Sequence, residues 1–312
     1  AVRERRRPKH SDVAYADVLK LIEVCDCLVN NTIFFIKKEL STLYEKYEVE
    51  SFVSLLLEHF AGIDTAHRLM ADGMSIDAAQ AESIADAVRR LKAYEPIQYI
   101  LGTVHFYGLT LQVDRRALIP RRETEELVET IIGMCRGASD VLDVGCGSGC
   151  IAVSLAKNLP DANVTAIDVS GEAIELAKTN AETNGVNINF YRTNILEEWT
   201  DSKTYDLIVS NPPYVTHKEK SDMKPNVLDY EPHGAIFVDD DDPLLYYRVV
   251  SEFARTHLDV GGSLFFEINR AYGNDVARIL VEMGFGEVEI MKDIAGNDRF
   301  VKCRRQNDIN SK

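Results

Sequence analysis

No apolar run in this 312-residue chain approaches the roughly 18 residues of a membrane-spanning helix, so no membrane partner is expected. The N-terminal residues hold no signal-peptide core, because polar residues follow the basic ones, and the chain reads as cytoplasmic. Positive charge is scarce: 35 Lys and Arg face 50 Asp and Glu, a formal net charge of −15. Coating nucleic acid requires a cationic surface that neutralises phosphates, so no stable nucleic-acid binding is expected. The deficit is uneven. Arg3, Arg5, Arg6, Arg7 and Lys9 stand against Glu4 alone, which gives residues 1–10 a charge of +4 and leaves −19 for the rest. This basic arm reads as a solvated terminus. Six cysteines would permit three bridges, but a large acidic chain has little need of them and they read as structural thiols. Cys25 and Cys27 form a lone Cys-x-Cys without the second pair a zinc site needs, and no metal site is expected. There is no internal repeat, and no low-complexity tract beyond the acidic run at 239–242.

What remains is a chain of ordinary composition, 46% hydrophobic, long enough for about two domains on the usual prior. Residues 12 to about 95 carry helical spacing. Val18, Leu21, Ile22, Cys25, Leu28 and Val29 share one face, and Phe52, Val53, Leu56 and Phe60 share another that ends near Gly62. A third helix starts at Asp77, with Gln80 completing a capping box, and buries Ile84, Val88 and Leu91. Residues 1–95 therefore read as a small helical bundle. Residues 96–120, between Pro96 and Pro120, read as a linker that holds a β-hairpin around Gly108.

Residues 121–312 repeat a strand, turn and helix pattern. Strands are predicted at 141–144, 164–168, 188–191, 205–210, 263–268, 287–291 and 299–303, with helices at 123–134, 151–158 and 171–184. Such alternation implies an α/β domain with a mostly parallel sheet covered on both faces. The last two strands have no helix between them, so one of them is antiparallel.

Three features carry chemistry. The loop Gly145-Cys146-Gly147-Ser148-Gly149 leaves a strand and opens a helix, where glycines let a ligand approach backbone N–H groups closely. A dinucleotide fingerprint would be Gly-x-Gly-x-x-Gly; here position 150 is Cys, which favours S-adenosylmethionine, with no pyrophosphate to cradle, over NAD. Asp168 ends the next strand, 23 positions after Gly145, where a carboxylate can accept both hydroxyls of a ribose or cap the helix near Ser170.

The sharpest signal is Asn211-Pro212-Pro213-Tyr214 directly after an apolar strand. A planar amide or aromatic amine is a poor nucleophile because its lone pair is delocalised. Acceptors aimed at its N–H bonds hold it and release that lone pair toward a methyl donor. The Asn211 side-chain oxygen and the Pro212 carbonyl can serve. The prolines stiffen the turn and remove backbone donors, and Tyr214 can stack on the planar group. No Cys or His stands out as a nucleophile or base. Glu267, on the strand after Gly262, reads either as a further acceptor behind the site or as a fold-stabilising acid.

Together, the stretches 95–102, 106–108, 118–121 and 123–128, the glycine loop, Asn211 to Tyr214, Tyr230-Glu231-Pro232 and residues 293–299 resemble the release factor glutamine methyltransferases. The resemblance runs from the helical region to near the C-terminus. It implies a Rossmann-like, S-adenosylmethionine-dependent sheet of seven strands, the last antiparallel, preceded by a helical domain and hairpin that dock a class 1 peptide chain release factor. It implies methyl transfer to the side-chain nitrogen (N5) of the glutamine in that factor's Gly-Gly-Gln motif, leaving S-adenosylhomocysteine. Residues 145–149 would then line the methionine part of the cofactor, Asp168 its ribose, and Asn194 and Ile195 its adenine. Asn211, Pro212, Pro213 and Tyr214 would hold the glutamine, with Asn211 also beside the cofactor. Asn194-Ile195 departs from the family's acidic-aromatic pair, leaving one hydrogen-bonding oxygen and an apolar wall. Residues 238–243, where glycines are usual, and Tyr272, often Gln, depart as well. A glutamine methyltransferase of a ribosomal protein and an adenine-N6 methyltransferase are the competing readings.

Overall fold

A computed structural model describes residues 28–69, 73–197 and 203–307 and divides between Leu101 and Gly102 into two units. The first unit holds helices α1 (Val29–Leu40), α2 (Lys46–Ala61), α3 (Thr65–Leu69), α4 (Ala78–Lys92) and α5 (Ile97–Leu101). The start of α4 is set locally, as expected: Asp77 Oδ1 accepts from Gln80 N at 2.8 Å and Gln80 Oε1 accepts from Asp77 N at 2.9 Å. α2 is closed the same way by Glu45 and Glu48, and ends on Gly62 in the left-handed region. Val53, Leu56, Ile84, Val88 and Leu91 share one core with Val29, Ile36 and Leu40 of α1; Phe52 and Phe60 pack at its edge. Of the face expected over 18–29, only Leu28 and Val29 fall among the described residues, and Cys25 and Cys27 do not. The units part at Leu101, whereas the sequence places the end of the helical domain at Glu95. The reason is packing: Ile97 and Ile100 of α5 are buried in the same core as Ile84 and Val88.

The second unit opens with the hairpin β1 (Thr103–Phe106) and β2 (Leu109–Gln112), Phe106 facing Leu109. Tyr107 and Gly108 both have positive φ, +46° and +74°, the two-residue turn whose twist suits a hairpin. The strained Tyr107 is held by its N–H, which donates to Glu125 at 2.8 Å. Next come α6 (Arg122–Met134), β3 (Asp140–Val144), α7 (Cys150–Asn158), β4 (Asn163–Asp168), α8 (Gly171–Asn184), β5 (Asn189–Arg192), β6 (Tyr205–Ser210), and β7 (Val215–Thr216). They are followed by α9 (Pro225–Leu228), β8 (Phe237–Val238), α10 (Leu245–His257), β9 (Leu258–Glu267), α11 (Gly273–Glu282), β10 (Phe285–Lys292) and β11 (Asp298–Arg305).

Seven strands form one sheet in the order β10-β11-β9-β6-β3-β4-β5, parallel except for β11, which pairs antiparallel with both β9 and β10. The expected mostly parallel sheet with an antiparallel last strand is the one observed. Both faces are covered, so the centres of β3, β6 and β9 are buried and apolar, with alternate residues in two cores. Val141, Leu207 and Phe265 face α6, α7 and α8, whereas Leu142, Ile208 and Phe266 face α10 and α11. The chain runs outward from β3 to β4 and β5, then returns to place β6 on the other side of β3. That reversal opens a crevice at the carboxyl ends of β3 and β6, where open α/β sheets take ligands.

One buried side chain joins the hairpin to the mouth of this crevice. Asn180 of α8, fully buried, accepts from Gln112 N at 2.6 Å and donates to the carbonyls of Gln112 (3.0 Å) and Ser148 (2.9 Å). An unpaired buried backbone group costs about 1–3 kcal/mol. Asn180→Ala is therefore expected to lower unfolding stability by about 3 kcal/mol or more in chemical denaturation. A loss under about 1 kcal/mol would mean that these bonds do not hold the hairpin.

Candidate active site

The ends of β3 and β6 are pinned side by side: Val144 and Ser210 are in register, and Ser210 Oγ donates to the Val144 carbonyl at 2.8 Å. Beyond β3 the loop 145–149 turns into α7 with positive φ at Gly145, Gly147 and Gly149. At Gly149 a Cβ would stand 2.9 Å from the Ala177 Cβ, so glycine there lets α7 begin against α8. Asp168, at the end of β4, is held from two sides. Its Oδ2 accepts from Gly147 N and its Oδ1 from Ser170 N, each at 2.9 Å. Ser170 itself caps α8, with its Oγ accepting from Ala173 N at 3.2 Å. Asp168 is thus free of the capping duty, and each carboxylate oxygen keeps acceptor capacity beyond its one backbone bond.

These elements enclose a cavity of about 330 Å³, within the range of small-molecule sites. Its walls include Gly145, Cys146, Gly147 and Ser148, then Asp168, Asn194 and Ile195, and across from them Asn211, Pro212 and Pro213. Two expected site residues lie elsewhere. Gly149 is not among the lining residues, because it is taken up by the close approach to Ala177. Tyr214 is not among them either: its hydroxyl donates to Glu267 Oε1 at 3.1 Å, and its ring packs in the core beneath. Burial and the Glu267 charge push the Tyr214 phenol well above its ordinary range, so it stays a donor. Asn194 lines the cavity with its oxygen already accepting from Leu196 N at 3.1 Å and its Nδ2 on Glu197.

The sequence gives no role to Thr124 and leaves Glu267 as either an acceptor behind the site or a fold-stabilising acid. Thr124 of α6, buried, lines the cavity and donates its hydroxyl to Glu267 Oε2 at 2.7 Å; Asn211 Nδ2 lies 3.3 Å from the same Thr124 oxygen. Glu267 is buried at the end of β9. Desolvation pushes its carboxyl up, while the two hydroxyls and Arg299 act to keep it charged. Glu231 is also buried, accepting from Ile119 N at 3.1 Å and from Arg121 at 2.6 Å, which ties the segment after α9 to the wall formed by residues 119–121. The thiols of Cys146 and Cys150 are pushed upward by burial, Cys150 to about 12, so neither is a thiolate at neutral pH.

Under the loop, Asp143 of β3 is fully buried; its Oδ2 accepts from Ala152 N at 3.1 Å and its Oδ1 has no protein partner, nor has Ser148 Oγ. Glycines without side chains, an open carboxylate at Asp168 and an apolar wall at Ile195 suit a ligand with a polar tail, a diol and a flat apolar ring. S-Adenosylmethionine has these parts. Among the described residues, no group of three or more His, Cys, Asp or Glu is placed to hold a metal ion, and no helix is long and apolar enough to cross a membrane.

Residues 36–102 match the PrmC N-terminal domain family and residues 123–228 the Methyltransferase small domain family. The chain is 44% identical over 268 residues to the release factor glutamine methyltransferase of Flavobacterium psychrophilum, covering 84% of this chain and 94% of that one. It is 41% identical over 278 residues to the enzyme of that name from Bacteroides thetaiotaomicron, with 89% and 100% covered. Identity to the Streptococcus pneumoniae enzyme of the same name is 39% over 267 residues, with 85% and 94% covered.

Asp143 gives the site a pH signature. Burial raises its carboxyl from 3.8 to about 7, helped by the Asp168 charge and opposed by the Ala152 N–H. The fold favours the protonated acid, so this group's contribution to stability is full below about pH 4 and is lost as pH rises toward 7. Asp143→Asn is neutral throughout. Its stability relative to the native chain is expected to rise between pH 4 and 7, by about 1.4 kcal/mol per unit at most, and to level off above. A gap that does not change with pH in urea titrations would place the Asp143 carboxyl in its ordinary range.

Proposed function

The chain belongs to the release factor glutamine methyltransferase family, and from that premise we propose how its cavity serves the reaction. The acceptor is the side-chain amide nitrogen of the glutamine in the Gly-Gly-Gln segment of a class 1 peptide chain release factor. S-Adenosylmethionine, when bound, supplies a sulfonium methyl open to in-line attack and leaves as S-adenosylhomocysteine. Its methionine part would lie on Gly145 to Ser148, its ribose on Asp168, and its adenine against Asn194 and Ile195.

The observation that carries this reading is the pairing of β3 with β6. It puts a turn rich in acceptors and poor in donors across the cavity from the glycine loop. Pro212 and Pro213 have no N–H, so the turn offers the Asn211 side-chain oxygen and the Pro212 carbonyl. Two acceptors on the two amide N–H bonds fix the nitrogen and turn its lone pair toward the methyl group. Orientation and exclusion of water then supply much of the acceleration, and no covalent intermediate on the enzyme is needed. After transfer the nitrogen is cationic and strongly acidic, and its proton passes to water without a dedicated base. Tyr214 acts from behind the turn, through Glu267, in place of stacking on the substrate. The helical unit and the hairpin dock the factor; the match of residues 36–102 to the PrmC N-terminal domain supports assigning the helical unit to this family.

Two variants separate the roles in one assay of labelled methyl transfer. Asn211→Ala is expected to lower turnover on a release factor about 100-fold while leaving cofactor affinity within about twofold. Asp168→Ala is expected to raise the cofactor dissociation constant tenfold or more, in line with loss of charge-assisted bonds of about 1.5–3 kcal/mol. Near-normal turnover in the first, or unchanged calorimetric binding in the second, would remove that residue's role. In the native chain, label is expected on the intact factor in preference to a Gly-Gly-Gln peptide, a ribosomal protein or DNA. Equal efficiency on peptide and factor would remove the docking role.

A further inference from the structure

We propose that Thr124 and Glu267 are positioning residues for methyl transfer, acting through Asn211 to decide which end of its amide faces the substrate. The inference rests on the reading of Asn211 as an acceptor. Glu267 ends β9 after Phe265 and Phe266 and precedes Ile268, all buried, and both its oxygens are engaged by hydroxyls, Tyr214 on Oε1 and Thr124 on Oε2. Both carboxyl oxygens act as acceptors, and a threonine hydroxyl has a single proton to give. At 2.7 Å that proton belongs to the Thr124–Glu267 bond, which leaves Thr124 only lone pairs. The Asn211 group at 3.3 Å from Thr124 must then be the NH₂, and Oδ1 is the atom left to the cavity. The direction of the Thr124 and Asn211 bonds thus follows from the Glu267 oxygen that accepts at the start of the relay.

The two ends of a carboxamide are nearly the same size, so shape alone does not choose between them. Reversed, Asn211 would present N–H bonds to the N–H bonds of the substrate amide, and the acceptor pair would be lost. This gives the acid a purpose that stability does not, since a carboxyl buried in an apolar strand carries a desolvation cost. The groups facing it are Thr124 and Glu123 from α6, Tyr214 after β6, Arg299 from β11 and Tyr247 from α10, whose hydroxyl donates to the Glu267 carbonyl. Of these, Thr124 is the one linked to both Glu267 and Asn211.

The test uses the full chain, a release factor and S-adenosylmethionine. Thr124→Val keeps the shape and removes the hydroxyl; Thr124→Ser keeps the hydroxyl. Thr124→Val is expected to lower kcat about 10- to 100-fold, with cofactor affinity within about twofold, and Thr124→Ser to return kcat to within about threefold of native. Joined to Asn211→Ala, Thr124→Val is expected to add no further loss, because both act on one contact. If Asn211→Ala is inactive and Thr124→Val turns over normally, the acceptor reading stands and this inference falls. If Thr124→Ser fails as badly as Thr124→Val, or cofactor affinity falls in step with kcat, the role is packing and the inference falls. If Asn211→Ala is active, the acceptor reading falls and takes this one with it. Should Thr124→Val not fold, Glu267→Gln is read in its place. Its amide cannot accept from both hydroxyls, and the same selective loss of kcat is expected; full turnover there overturns the inference.

Discussion

The parallel pairing of β3 with β6 sets Val144 beside Ser210, so the segments that leave the two strands share one mouth. After β3 comes a loop of three glycines whose backbone can lie against a ligand; after β6 comes a turn that offers oxygen and almost no N–H. On the proposed reading the first seats a methyl donor and the second holds a reluctant nitrogen. A one-strand change in the order of the sheet would separate them. The reversal of winding at β3 is therefore the constraint on which the site depends.

The site is stiffened by acids that do not reach the substrate amide. Glu231 gathers Ile119 and Arg121, Asp168 gathers Gly147 and Ser170, and Glu267 gathers Thr124 and Tyr214. Each carboxylate joins separate segments of the chain, and each accepts from donors that would otherwise compete for a ligand's oxygens. A preorganised set of this kind acts without reorganising during the reaction. On the proposed reading of Asn211 as an acceptor, its directional fixing by Thr124 and Glu267 is the part with the greatest leverage.

Much of this could be read from the chain because it is local. The Asp77–Gln80 capping box, the spacing that buries Ile84, Val88 and Leu91, the glycine loop after an apolar strand and the Asn-Pro-Pro-Tyr turn are each written within a few residues. The sheet's antiparallel end could be read from the missing helix between the last two strands. What escaped is long-range. Thr124 meets Glu267 across 143 positions, Glu231 meets Ile119 across 112, and Asn180 reaches Ser148 across 32. Motif alone points Tyr214 and Gly149 to the cavity, but a buried acid behind the turn and a methyl group on the facing helix claim them. α5 joined the helical core because Ile97 and Ile100 had apolar partners there that a proline boundary could not reveal. Asp143 left a trace, an acid inside an apolar strand just before the glycines, whose meaning emerges only with the Ala152 N–H above it.

The most direct measurement is tandem mass spectrometry of a class 1 release factor after incubation with the chain and S-adenosylmethionine carrying a deuterated methyl group. One label on the side-chain nitrogen of the glutamine in Gly-Gly-Gln is the expected result. A label on any other residue, or an unlabelled factor under conditions where the chain binds the cofactor, would contradict it.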